Sequence, residues 1–109
     1  MSDDVPEIGI EALEEHLQTG RSVVDVREDD EYHSGHVPGA VHIALATMPG
    51  HIEVLPAEMP TYVVCAVGGR SARAGSLLRA QGLDATSVTG GTKAWIEAGK
   101  PVVLGGEPH

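Results

Sequence analysis

The chain has 109 residues, a single cysteine and a net charge of −9. That length holds one domain with one modest core, and a lone cysteine excludes an internal disulfide and fits a reducing, cytoplasmic compartment. The negative balance argues against nucleic acid and anionic membrane surfaces as partners; no apolar run is long enough to span a membrane, and the acidic start Met1-Ser2-Asp3-Asp4 lacks the apolar stretch of a signal peptide.

Ile10, Leu13 and Leu17 share one side of a helical wheel, with Glu11, Glu14 and Glu15 opposite, which predicts a first amphipathic helix over 10–17 stopped by Gly20. Ser22-Val23-Val24-Asp25-Val26 reads as a buried strand, 28–33 as a short acidic helix closed by Gly35, Val37-Pro38-Gly39-Ala40 as a turn, and Val41-His42-Ile43 as a brief strand. Pro49, Pro56 and Pro60 allow at most a short helix around 51–55. A strand over 61–65 follows, then a helix over 71–81 ended by Gly82, a strand at Thr86-Ser87-Val88 and a last helix over 92–98 stopped by Gly99. With Trp95, Tyr32 and Tyr62 as its aromatics and no Phe, the core must be Val, Ile, Leu and Ala, which suits strands buried on both faces. The alternation implies an α/β fold, a mostly parallel central sheet with helices on both faces. Ligands of such sheets bind beyond the carboxyl ends of the strands, where this sequence has Asp25-Val26-Arg27 and Cys65.

Cys65 ends its strand and opens the loop Ala66-Val67-Gly68-Gly69-Arg70, with a helix following at once. A strand end, a glycine loop and a helix start surround the sulfur with backbone N–H groups and the positive end of the helix dipole. That environment lowers a thiol pKa and holds an anion. The alternative is a buried structural cysteine, which needs neither the glycine pair nor the arginine. Residues 1–64 carry 2 basic and 13 acidic side chains, whereas 66–109 carry 5 basic and 3 acidic, and Arg70, Arg73 and Arg79 directly follow Cys65. Positive charge beside the thiol of an acidic chain suits a small anionic substrate, with Arg79 read as part of a solvated helix face. Ser71 is expected to cap the helix, Asp25 to order the Cys65 loop by hydrogen bonds, and Arg27 to pair with Glu31, four residues on. His36 is read as a satisfied structural histidine, and Trp95 as an apolar anchor whose N–H needs a partner. The spacing of His33, His36, His42 and His51 matches no zinc pattern, so no metal is expected.

The ordered set Asp25-Val26-Arg27, Glu31-Tyr32 with Gly35-His36-Val37-Pro38-Gly39-Ala40, Cys65-Ala66-Val67-Gly68-Gly69-Arg70-Ser71, and Gly90-Gly91 with Trp95 and Gly99-Lys100-Pro101 resembles a single-domain rhodanese. The resemblance covers residues 8–103, leaving 1–7 and 104–109 as flexible termini. It implies a rhodanese-like α/β fold and a sulfurtransferase of the thiosulfate sulfurtransferase type, a monomer without cofactor. Sulfane sulfur would pass from thiosulfate or a persulfide donor to cyanide, a thiol or a protein acceptor through a persulfide on Cys65. Cys65 is then the catalytic residue, and Ala66, Val67, Gly68, Gly69, Arg70 and Ser71 form the substrate-binding loop, with Asp25, Arg27 and His36 in support. Amides of residues 66–70 can stabilise the resting and the loaded anion alike, and Gly68-Gly69 lets the loop curl. Arg70 either binds donor oxyanions or braces the loop. Four residues separate Cys65 from Arg70; the cysteine phosphatases that resemble this fold use five to ring a tetrahedral oxyanion, which ranks phosphatase or arsenate reductase chemistry below sulfur transfer. The other alternative is a sulfur-carrier or regulatory binding module, with the acidic first half docking a basic partner. Ala66 stands where many relatives have a basic or polar side chain, leaving one cation in the loop and making thiosulfate a poor donor. The segment 43–60 is expected to flank the pocket and bear on acceptor choice.

Overall fold

The β-branched runs Ser22–Asp25 (β2) and Thr61–Val64 (β4) lie side by side at the centre of a five-stranded sheet in the computed structural model, which describes residues 5–109. Glu7–Ile8 (β1), Val41–His42 (β3) and Ala85–Val88 (β5) complete the order β1-β5-β4-β2-β3, and every neighbouring pair is parallel. The helices are Ile10–Leu17 (α1), Asp29–His33 (α2), Gly69–Ala80 (α3) and Gly91–Glu97 (α4). The expected α/β architecture is therefore present. Among the described residues, no helix is long and apolar enough to cross a membrane.

Register turns the valine runs into two cores. Val23 pairs with Tyr62, Val24 with Val63 and Asp25 with Val64, and successive side chains point to opposite faces. Val23, Tyr62 and Val64 therefore join Leu13, Val88 and Trp95 in one cluster, with Ile10 and Leu17 of α1 packed against it. Val24, Val63 and Cys65 join Ala74 and Leu78 of α3, together with Met48 and Leu55, in the other. Both sheet faces are covered, as a parallel sheet requires. The same alternation aims the Cys65 side chain at the α3 face.

Several boundaries differ from expectation for identifiable reasons. β1 is only two residues long, too short to show a period; Ser87 N donates to Pro6 O (2.9 Å) and Thr89 N to Ile8 O (2.8 Å), so the edge of β5 recruits it. Segment 1–7, expected as a flexible end, thus contributes Glu7 to the sheet, while residues 1–4 lie outside the described residues. The helix expected at 51–55 is replaced by two 3-10 turns, Leu45–Gly50 and Ile52–Val54, with Pro49 inside the first and Met48 fully buried. The segment 43–60 supplies Ile43, Ala44, Thr47 and His51 to a cleft of about 140 Å³ shared with Asp29 and His42. Residues 104–109, also expected as a flexible end, lie against the body: Gly105 N donates to His33 O (2.9 Å) and Gly39 N to Pro108 O (2.8 Å).

Candidate active site

β4 ends at Val64, so Cys65 leaves the sheet at its carboxyl rim, beside the Asp25 end of β2. The chain then turns through Ala66 and Val67 to Gly68, whose φ of +132° is open to glycine and strained for other residues. That turn brings the Gly68 N–H to within 3.0 Å of the Cys65 sulfur. Cys65 is 1% exposed. Burial pushes its thiol up, but the Ser71 hydroxyl and the N–H groups of Ser71, Gly68 and Val67 outweigh it and hold the thiol below its ordinary range. The arrangement stabilises a sulfur anion chiefly with neutral dipoles, with Arg70 close enough to feel its charge.

α4 seats this loop from behind. Thr92 N donates to Cys65 O (2.8 Å) and Lys93 N to Ala66 O (3.0 Å), so two amides of the first turn of α4 bind loop carbonyls. The approach explains Gly90-Gly91: a Cβ on Gly91 would lie 2.4 Å from Cys65 O and 2.7 Å from Ala66 O, and Gly91 has φ +57°. No side chain fits there. Trp95, one turn later, is 1% exposed and donates its indole N–H to Pro101 O (2.6 Å), as its reading as an anchor required.

The supporting residues are all close to the rim, but their partners differ from expectation. α3 starts at Gly69 with Gly68 as N-cap, so Ser71 is its third residue and not the cap. Ser71 Oγ instead lies 3.0 Å from Gly68 O and 2.7 Å from Ser87 Oγ, so Ser87 can supply a proton to it while its own proton turns toward Gly68 O or the Cys65 sulfur. Ser87, buried on β5, is a site residue that the sequence reading missed; a serine inside a short buried strand was its only signal. Asp25 does not bond the Cys65 loop. Its carboxylate takes the Arg27 N–H (3.0 Å), Nε (3.0 and 3.1 Å) and Nη2 (2.8 Å). Arg27 precedes α2 and so cannot use helical spacing to reach Glu31; it turns back on Asp25 and donates to Gly35 O (2.8 Å).

Glu31 is left to Arg70. Nη1 and Nη2 of Arg70 donate to Oε1 and Oε2 of Glu31 at 2.7 and 2.9 Å, a bidentate pair between α2 and α3. Hydrogen bonding from Arg70 holds the Glu31 carboxyl down at about 2, against partial burial that raises it. α2 itself is fixed by a capping box in which Glu28 N donates to Glu31 Oε1 (2.8 Å). Support therefore reaches the loop indirectly, from Asp25 through Arg27 to the Gly35 end of α2, and from Glu31 to Arg70. Arg70 is thereby tied to α2 through Glu31. His36 is fully buried, stacked on Tyr32 at 3.6 Å between ring centroids, with its ring nitrogens 2.8 Å from Tyr32 O and Glu107 O. Its surroundings are those of a structural histidine. Among the described residues, no three His, Cys, Asp or Glu side chains gather closely enough to hold a metal ion.

Residues 10–98 match the Rhodanese family, described as a rhodanese-like domain. The chain is 34% identical over 100 residues to the YtwF protein of Bacillus subtilis (strain 168), covering 90% of this chain and 97% of that one. It is 37% identical over 86 residues to the thiosulfate sulfurtransferase GlpE of Pseudomonas putida (strain GB-1), covering 78% of each. Among solved structures, a rhodanese-related protein from Thermoplasma volcanium superposes with a TM-score of 0.85 at 34% identity, covering 91% of this chain and 98% of that one.

Proposed function

The chain belongs to the rhodanese-like domain family, and we propose on that premise that it is a sulfurtransferase carrying sulfane sulfur on Cys65. The observation that supports this reading most is the sulfur itself: a buried thiol held below its ordinary range by the Ser71 hydroxyl and by amides of the loop, with Gly68 N at 3.0 Å. Cys65 is the nucleophile. As thiolate it attacks the outer sulfur of a donor. From a persulfide RS–SH it forms a new S–S bond, breaks the donor's S–S bond and releases RS⁻, leaving Cys65–S–SH, which gives its proton to the leaving thiolate or to water and becomes Cys65–S–S⁻. From thiosulfate the leaving group is sulfite and the product is Cys65–S–S⁻. An acceptor then attacks the outer sulfur; cyanide leaves as thiocyanate and restores the thiolate. Amides of the loop stabilise the anion in each state without reorganising. A reducing, cytoplasmic setting belongs to the proposal, because a lone reactive thiol persists there.

The assay is sulfur transfer to cyanide, read as thiocyanate, from thiosulfate and from cysteine persulfide in parallel. Turnover with at least one donor, lost in Cys65→Ser, is expected. Undiminished turnover in Cys65→Ser, or none with either donor, overturns the proposal. Aryl phosphate hydrolysis that depends on Cys65, without sulfur transfer, would assign the site to phosphatase chemistry.

A further inference from the structure

Thiosulfate is a dianion, so its attack by the Cys65 thiolate gathers three negative charges; a persulfide brings at most one negative charge, and none in the protonated form that is attacked. Accepting the dianion requires positive charge at the loop. The loop offers one side-chain cation, Arg70, since the residue after the nucleophile is Ala66. That cation is already matched, because both of its Nη atoms are engaged by the two oxygens of Glu31 at 2.7 and 2.9 Å. The partner is firmly placed: Glu31 also takes the Glu28 N–H at 2.8 Å within the α2 capping box. Glu28, Asp29 and Asp30 stand exposed on the same short turn, which adds negative charge to the α2 side of the molecule. The Asp25 and Arg27 charges cancel each other locally. Arg73, one turn further along α3, lines a cleft with Gly69 and Arg70 but is more exposed to solvent than Arg70, so its field is the more strongly screened of the two.

We propose that Glu31 is the specificity-determining residue of this site: by neutralising Arg70 it selects persulfide donors, of low charge, over dianionic thiosulfate. The inference rests on the sulfurtransferase reading and names its donor class. Glu31 acts through Arg70 and touches no reacting atom, so it is a positioning residue whose charge, not its bulk, carries the effect. Glu31→Gln keeps the shape and an acceptor for Arg70 but removes the negative charge, freeing the guanidinium's field for the donor.

The test measures the rate of sulfur loading onto Cys65 from thiosulfate and from cysteine persulfide, in wild type, Glu31→Gln and Ala66→Lys. Glu31→Gln is expected to lower the KM for thiosulfate and to raise the thiosulfate-to-persulfide ratio of kcat/KM by about tenfold, the scale of one unit charge near a partly exposed site. Ala66→Lys adds a cation without touching the pair and is expected to move the ratio the same way; it carries the question alone if Glu31→Gln does not fold. A merely structural Glu31 would lower loading from both donors together. An unchanged ratio in the variants, with wild type loading normally from persulfide, overturns the inference and leaves the sulfurtransferase reading intact. Wild type that loads from neither donor overturns both.

Discussion

Gly91→Ala isolates the seating of the nucleophile loop by α4. The added methyl would lie 2.4 Å from Cys65 O and 2.7 Å from Ala66 O, distances that no rotamer relieves because the Cβ has none. Either the loop or the start of α4 must move, and the bonds from Thr92 N (2.8 Å) and Lys93 N (3.0 Å) stretch with it. The left-handed backbone at φ +57° adds about 1–2 kcal/mol for any L-residue, and two weakened buried hydrogen bonds add about 1–3 kcal/mol more. Gly99→Ala is the control: its φ is +76°, yet nothing lies within 4 Å of the new Cβ, so it feels the backbone strain alone. Urea unfolding should therefore show Gly91→Ala to be less stable than Gly99→Ala by about 1–3 kcal/mol. Cys65 alkylation should change rate only in Gly91→Ala. Equal destabilisation with unaltered Cys65 reactivity would refute the claim that α4 sets the loop.

Asp25→Ala strands the buried Arg27 guanidinium, whose side chain is 7% exposed, and should cost about 3–5 kcal/mol in denaturant unfolding; a loss below about 1 kcal/mol would show that the charge finds water. The rate of Cys65 alkylation by iodoacetamide should reach half its plateau below about pH 8.5, the free-thiol value, and Ser71→Ala should move that midpoint upward, because the hydroxyl is among the groups that lower it. A midpoint at or above the free-thiol value would remove the case for a stabilised thiolate. The Glu31 carboxyl should titrate at about 2. Since its folded value is depressed, the Arg70 pair contributes fully above the unfolded carboxyl value near 4.3 and is lost as the pH falls through about 2. Carboxyl NMR of Glu31 should show that midpoint, and Arg70→Met should return it toward 4.3; a Glu31 midpoint near 4.3 in the intact chain would contradict the pair.

Patterns confined to one stretch of chain were legible in the sequence. The valine runs of β2 and β4, the helical period of α1, the Cys65 loop and the Trp95 anchor follow from local spacing, and the parallel sheet follows from their alternation. Features decided by distant residues were not. Glu31 and Arg70 are 39 residues apart, so no spacing rule finds the pair, and the apparent partner at Arg27 lies outside the helix that would have brought it round. Gly90-Gly91 was visible as a motif, but its reason, the carbonyls of Cys65 and Ala66, appears only when α4 docks. β1 exists because β5 offers an open edge, and the turns at 45–54 exist because Met48 is drawn into the core. The Ser71–Ser87 contact joins a helix to a strand and is written in neither.

The central claim is that Cys65 stores one sulfur atom as a persulfide. Intact mass measured after exposure to cysteine persulfide and, separately, to thiosulfate tests it most directly. The account predicts a gain of a single sulfur atom, larger in extent with the persulfide donor, removed by cyanide and absent in Cys65→Ser. An unchanged mass with both donors, or a gain that survives in Cys65→Ser, would contradict it.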